Sequence, residues 1–119
     1  MQLYNTLSGQ LEPVTSDDGI FRMYVCGITP YDTTHLGHAF TFIMFDVLER
    51  YLEYLGYETK TVQNVTDIDD DILRRARELN IAWDALAQRE TEKYLADMRA
   101  INVRAPDHFV YATGEIERI

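Results

Sequence analysis

The sequence predicts an α/β domain: a parallel sheet with flanking helices, preceded by a short β extension. Three observations carry that prediction. Residues 20–26, Ile-Phe-Arg-Met-Tyr-Val-Cys, are mostly apolar and rich in β-formers, as suits an inner strand of a parallel sheet. From His38 to Leu55 apolar residues recur at spacings of three and four, the period of a long helix. Residues 57–65, Tyr-Glu-Thr-Lys-Thr-Val-Gln-Asn-Val, alternate and carry β-branched side chains, which predicts a second strand. Strand, helix and strand in that order form a right-handed βαβ unit.

Residues 1–19 form the β extension. Leu3–Thr6 and Gln10–Val14 flank Ser8-Gly9, predicting a hairpin with a two-residue turn, and Asp17-Asp18-Gly19 marks a second turn. The βαβ unit occupies residues 20–66. Within its helix the predicted apolar face is Phe40, Ile43, Met44, Val47, Leu48, Tyr51, Leu52 and Leu55, and Gly56 follows where a left-handed closing residue is needed. Residues 67–119 read as a helical segment. Thr66 with Asp69 resembles a capping box for a helix through Ile72, Leu73, Ala76 and Leu79 that stops near Asn80. A further helix covers Trp83 to Ala100, with Leu86, Tyr94, Leu95 and Met98 on one face. Val103–Pro106 is a break, and Thr113 opens a last helix near the final residue. That ending, one turn into a helical pattern, reads as a truncation.

Composition narrows the function. With 119 residues, 46% apolar and 26% charged, the chain is one ordinary globular domain able to bury a core. No apolar run reaches the roughly 20 residues that span a membrane, and no signal-peptide pattern opens the chain, so a cytoplasmic location is expected. One cysteine rules out an internal disulfide, and a net charge of −9 argues against a surface built to grip phosphate backbone. Arg74, Arg75 and Arg77 sit among carboxylates as a solvated helix face.

The chemistry concentrates in Met23–Ala39, MYVCGITPYDTTHLGHA, a strand, a turn-rich loop and a glycine-containing helix start, which reads as a small-molecule or phosphate site. By residue type Cys26 is either a buried small hydrophobe or a metal thiolate, and a zinc site needs three more ligands. His35 and His38, three apart, fall on one side of a helix start, with Gly37 between them letting backbone approach a ligand. They are structural, or they donate hydrogen bonds to a polyphosphate. Asp67, Asp69, Asp70 and Asp71 could chelate magnesium, but capping and solvation account for them better. His108, beside Phe109 and Tyr111 in a late loop, earns no functional role.

These residues resemble a family. His35-Leu36-Gly37-His38 at a strand-to-helix position is similar to the HIGH signature of class I aminoacyl-tRNA synthetases. Met23–Gly27 before it and Gln63–Asp70 after it resemble the cysteine-activating branch, and the resemblance runs from about Leu3 to the last residue. It implies a Rossmann-like (HUP-type) nucleotide-binding fold, here incomplete. Two members compete: cysteinyl-tRNA synthetase, and the ligase that joins cysteine to the amine of glucosaminyl-inositol in mycothiol biosynthesis. Gly27–Ala39, GITPYDTTHLGHA, with Ile81-Ala82-Trp83 and Asp97-Met98, looks more like the ligase.

The resemblance implies L-cysteine and ATP (with Mg2+) as substrates, Zn2+ as a bound metal, and glucosaminyl-inositol or tRNA(Cys) as acceptor. Cys26 would be the first zinc ligand, holding the substrate thiolate, and Gly27 and Thr29 would line the cysteine pocket. Thr34, His35, Gly37 and His38 would hold ATP, with His35 and His38 catalytic. Thr41, Asn64, Val65 and Thr66 would contact the aminoacyl-adenylate. The remaining zinc ligands and the KMSKS loop of the family have no counterpart in these residues. That leaves two expectations: an enzyme fragment without activation on its own, or a non-catalytic nucleotide- or partner-binding half-domain.

Overall fold

The computed structural model describes residues 1–118. A hairpin comes first, with β1 (Gln2–Asn5) antiparallel to β2 (Gln10–Pro13). Its loop spans four residues, not the two predicted. Asn5 explains the longer turn: its carbonyl accepts from Gly9 N–H at 2.8 Å and its side chain from Leu7 N–H at 3.0 Å, with Gly9 at φ +68°.

The main sheet has the order β3 (Ile20–Ile28), β4 (Glu58–Val65) and β5 (His108–Tyr111), all parallel. The strand β3 continues two residues past the predicted end at Cys26. It does so through a bulge: Val25 pairs with Gln63 and Ile28 with Val65, so one extra residue is accommodated at Cys26-Gly27. The strand β5 is a correction. The sequence places His108–Tyr111 in a loop within a helical segment, yet it adds to the far edge of β4. Asp107 anchors it, its carboxylate accepting from Thr61 N–H at 2.7 Å.

Helix α1 (Leu36–Tyr54) starts two residues before the predicted His38 and ends as expected: Leu55 caps it and Gly56, at φ +89°, closes it. Tyr57 N–H returns to the Leu52 carbonyl and Gly56 N–H to Glu53, a Schellman arrangement. Helix α2 (Asp70–Leu79) is capped by Asp69, whose Oδ1 accepts from Ile72 N–H at 2.8 Å; Asn80 stops it in the left-handed region at φ 54°. Thr66 is therefore not the cap. Its N–H still donates to the Ile28 carbonyl at 2.9 Å, so it belongs to the sheet edge. Helix α3 (Trp83–Ala100) matches prediction, and a short α4 (Ala112–Glu115) follows β5.

The core lies on one face of the sheet: Val25, Ile28 and Val65 pack with Phe42 of α1 and with Tyr94 and Met98 of α3. A second cluster, Ile72, Ala76, Leu86 and Ala87, joins α2 to α3. The face predicted for α1 is only partly the buried one. Phe42 and Leu52 are buried, whereas Phe40, Met44, Val47 and Tyr51 are exposed, the last three beside the hairpin residues Leu3 and Tyr4. The helix is apolar on more than one side, so periodicity alone does not choose which side meets the sheet.

Candidate active site

The site forms at the carboxyl end of β3, where the loop 29–35 leads into α1. His35 is the helix N-cap. Its Nδ1 accepts from Gly37 N–H at 3.1 Å, while the Nδ1 of His38 accepts from the His35 N–H at 3.4 Å. This reciprocal arrangement uses histidines where Ser or Thr and Glu usually stand. The two rings stack with centroids 3.9 Å apart and planes 15° from parallel. Because both Nδ1 atoms accept backbone protons, each neutral ring carries its own proton on Nε2, leaving two Nε2–H donors for a ligand. Burial, then the neighbouring His35, holds the His38 imidazole below its ordinary pKa, which favours that neutral form.

Gly37 makes the cap possible. A Cβ there would lie 2.9 Å from His35 Cε1 and 3.0 Å from its Nδ1, so any side chain would push the ring off the helix end. Gly27 is tighter still: a Cβ would fall 1.5 Å from the Asn64 carbonyl oxygen. The close approach of β3 to β4 at the bulge depends on that absence. Asn64 then fixes the bulge, its Oδ1 accepting from Gly27 N–H at 2.9 Å and from the Tyr24 hydroxyl at 2.8 Å.

Of the predicted residues, Gly27, Thr29, His35 and His38 come together around a cleft of about 420 Å³. Ile28, Tyr31, Asp32 and Thr33 complete its lining; only their membership of the turn-rich loop could have signalled them. Thr34 is half-buried beside the cap, and Gly37 lies in the first helical turn. Thr41 is exposed, its hydroxyl donating back to the Gly37 carbonyl at 3.1 Å. Val65 is fully buried, so only its backbone can face a ligand. Asn64 and Thr66 stand at the carboxyl end of β4, their side chains 3.4 Å apart. Tyr24, which anchors Asn64, was missed because nothing in sequence links residues forty positions apart.

Cys26 is exposed at the bulge. Among the described residues no group of three or more His, Cys, Asp or Glu side chains could hold a metal ion. Cys26 therefore meets one of the four positions of a tetrahedral zinc site, and the described residues alone do not fit the ion. Among the described residues no helix is long and apolar enough to cross a membrane.

The catalytic-domain model for class I (C) tRNA synthetases matches residues 12–119. The chain is 48% identical to the L-cysteine:1D-myo-inositol 2-amino-2-deoxy-alpha-D-glucopyranoside ligase of Kocuria rhizophila, over 99% of this chain and 27% of the relative. It is also 48% identical to the cysteine--tRNA ligase of Dehalococcoides mccartyi, over 100% of this chain and 26% of that protein. The chain thus spans about a quarter of the length of the curated relatives it matches. Among solved structures, the methionyl-tRNA synthetase of Mycobacterium tuberculosis bound by methionyl-adenylate superposes with a TM-score of 0.72 at 20% identity, over 78% of this chain and 18% of that one. That likeness establishes the shared fold.

Proposed function

The chain belongs to the class I (C) tRNA synthetase catalytic-domain family, and from that premise we propose that a protein carrying it activates L-cysteine with ATP and passes the cysteinyl group to an acceptor. The observation that carries the proposal is the pair of capping histidines, which line one cleft with Gly27 and Thr29. In the reaction a carboxylate oxygen of cysteine attacks the α-phosphorus of ATP. The bond from that phosphorus to the bridging oxygen of the leaving group breaks, giving cysteinyl-AMP and pyrophosphate. Charge builds on the phosphate oxygens as this happens, where His35 and His38 would donate hydrogen bonds. Thr34 and Gly37 would hold ATP, Gly27 and Thr29 the amino acid, and Thr41, Asn64, Thr66 and the Val65 backbone the adenylate. The acceptor amine or hydroxyl then attacks the cysteinyl carbonyl and AMP leaves.

Of the two acceptors we favour glucosaminyl-inositol, on the loop Gly27–Ala39 and on the 48% identity to the sugar ligase. The equal identity to a cysteine--tRNA ligase supports tRNA(Cys) as the second reading. A zinc ion at Cys26 would supply selectivity for the substrate thiolate, with its other ligands provided from outside the described residues. Magnesium would accompany ATP. Neither ion enters the steps above, and a cytoplasmic location is the natural one for this chemistry.

Cysteine-dependent ATP–pyrophosphate exchange tests the activation step, and product formation with each acceptor tests the second. Exchange without cysteine selectivity would refute the proposal; product from tRNA alone would replace the sugar amine as acceptor. Exchange is measured on a protein that carries this chain together with the rest of its catalytic domain, and no exchange there with any amino acid would leave the non-catalytic half-domain as the reading. His38→Ala should lower the exchange rate about 100-fold, the loss expected for one donor to developing charge.

A further inference from the structure

Tyr24 is held in the fold by its hydroxyl more than by its ring. It alternates along β3 with the core residue Val25 and is 66% exposed, so its ring buries little apolar surface. A phenol at such a position can give its proton to water. Instead it donates to Asn64 Oδ1 on β4 at 2.8 Å.

That proton decides how the Asn64 amide is turned. At the bulge the regular pairing of β3 with β4 is interrupted, and Gly27 N–H takes Asn64 Oδ1 as acceptor at 2.9 Å. A backbone N–H can only donate, so the Asn64 atom beside it is the oxygen. The Tyr24 hydroxyl fills the second acceptor site of that oxygen. Turning the amide over would set its NH2 group against two donors at once. Nδ2 is thereby committed to the other side, where it donates to Thr66 Oγ1 across a long 3.4 Å. One side chain thus ties Gly27, in the lining of the histidine cleft, to Thr66 at the end of β4. The histidine cap shares none of these hydrogen bonds: His35 and His38 bond the Gly37 and His35 N–H groups.

We propose that Tyr24 is a positioning residue for the amino-acid side of the site, locking the Asn64 amide in the one orientation that holds both Gly27 and Thr66. It acts through Asn64 and not by contact with a substrate. The inference rests on the cysteine-activation reading, in which Gly27 meets the amino acid and Thr66 the adenylate. Because the histidine cap is held separately, loss of the Tyr24 hydroxyl reaches the cysteine side of the reaction and spares the ATP side.

Tyr24→Phe keeps the ring and deletes the hydroxyl at an exposed position, so the variant should fold with its thermal midpoint little changed. In a protein that carries this chain together with the rest of its catalytic domain, it should raise the KM for cysteine in ATP–pyrophosphate exchange about fivefold, the loss of one hydrogen bond, and leave the KM for ATP unchanged. Asn64→Ala removes the group through which Tyr24 acts, so Tyr24→Phe should add nothing in that background. Hydrogen exchange of the Gly27 amide, faster in Tyr24→Phe than in the unsubstituted protein, reads the same lock without activity and covers the case in which Asn64→Ala does not fold. An unchanged KM for cysteine, equal rises in both KM values, additive effects of the two substitutions, or an unchanged Gly27 amide would overturn the proposal. Absence of cysteine-dependent exchange in the unsubstituted protein would overturn the cysteine-activation reading, and the positioning role with it.

Discussion

Two glycines, Gly27 and Gly37, decide the geometry at the residue scale, and neither does so through a positive φ. Gly27 is required because the Asn64 carbonyl occupies the place of its Cβ. A side chain can swing away from an intruding methyl, but a paired backbone carbonyl cannot. Gly27→Ala should therefore cost more than about 3 kcal/mol, beyond the usual range for overpacking, because β3 and β4 must separate around the bulge. Gly114→Ala is the control. A Cβ there meets nothing within 4 Å, and alanine favours the helical backbone, so stability should hold or rise slightly. Chemical denaturation of the two variants checks the contrast; equal midpoints would mean the bulge relaxes far more readily than its geometry suggests.

Among the elements, α1 carries both the site and the largest part of the ambiguity. Phe42 is buried and meets the Tyr94 ring edge-on at 5.3 Å, while Phe40, two residues earlier, is 69% exposed. Phe42→Ala should cost about 3–5 kcal/mol, and Phe40→Ala should stay within about 0.5 kcal/mol. Thermal unfolding separates them at once. The same helix shows where sequence reasoning holds and where it stops. Its end was legible because only glycine readily adopts the closing conformation at Gly56. Its start was legible only as lying within His35–His38, because the cap is a histidine, a residue type that does not mark helix starts, and the apolar period begins only after it. The buried side was not legible either, since apolar residues ring the helix. The strand β5 escaped because its four residues carry no pattern of their own; parallel pairing with β4 and the Asp107 anchor make it a strand. At the site, the motif located the histidines, but the bulge, and with it Tyr24 and Asn64, exists only through pairing across the sheet.

Over the whole molecule, α1 is joined to the loop before β5 by a charged clamp that includes none of the residues lining the histidine cleft. Asp46 on α1 accepts from Arg50 at 2.7 Å and from the Arg104 backbone N–H at 3.1 Å, and the Arg104 Nη1 donates to both carboxylate oxygens of Glu53, at 2.6 and 2.8 Å. Arg50 also donates to the Asn102 carbonyl at 3.0 Å. The loop that leads into β5 is thereby tied to the helix that leads out of the histidine site. Burial alone would raise the Asp46 carboxyl, but the Arg50 guanidinium and the Arg104 N–H outweigh it and leave the group below its ordinary pKa of 3.8. The folded state thus binds its proton less readily than the unfolded chain does. Its stabilising contribution is complete above the unfolded value and is lost as pH falls through the lower folded one. Asp46→Asn should therefore lower stability at neutral pH by about 1 kcal/mol and flatten the acid limb below about pH 4, because the titrating group is gone. The Arg104–Glu53 pair is more exposed, and Arg104→Met should change neutral-pH stability by less than about 1 kcal/mol. Denaturation midpoints measured from neutral to acid pH test both. A parallel loss at every pH in Asp46→Asn would mean that its hydrogen bonds, and not its charge, join α1 to the β5 loop.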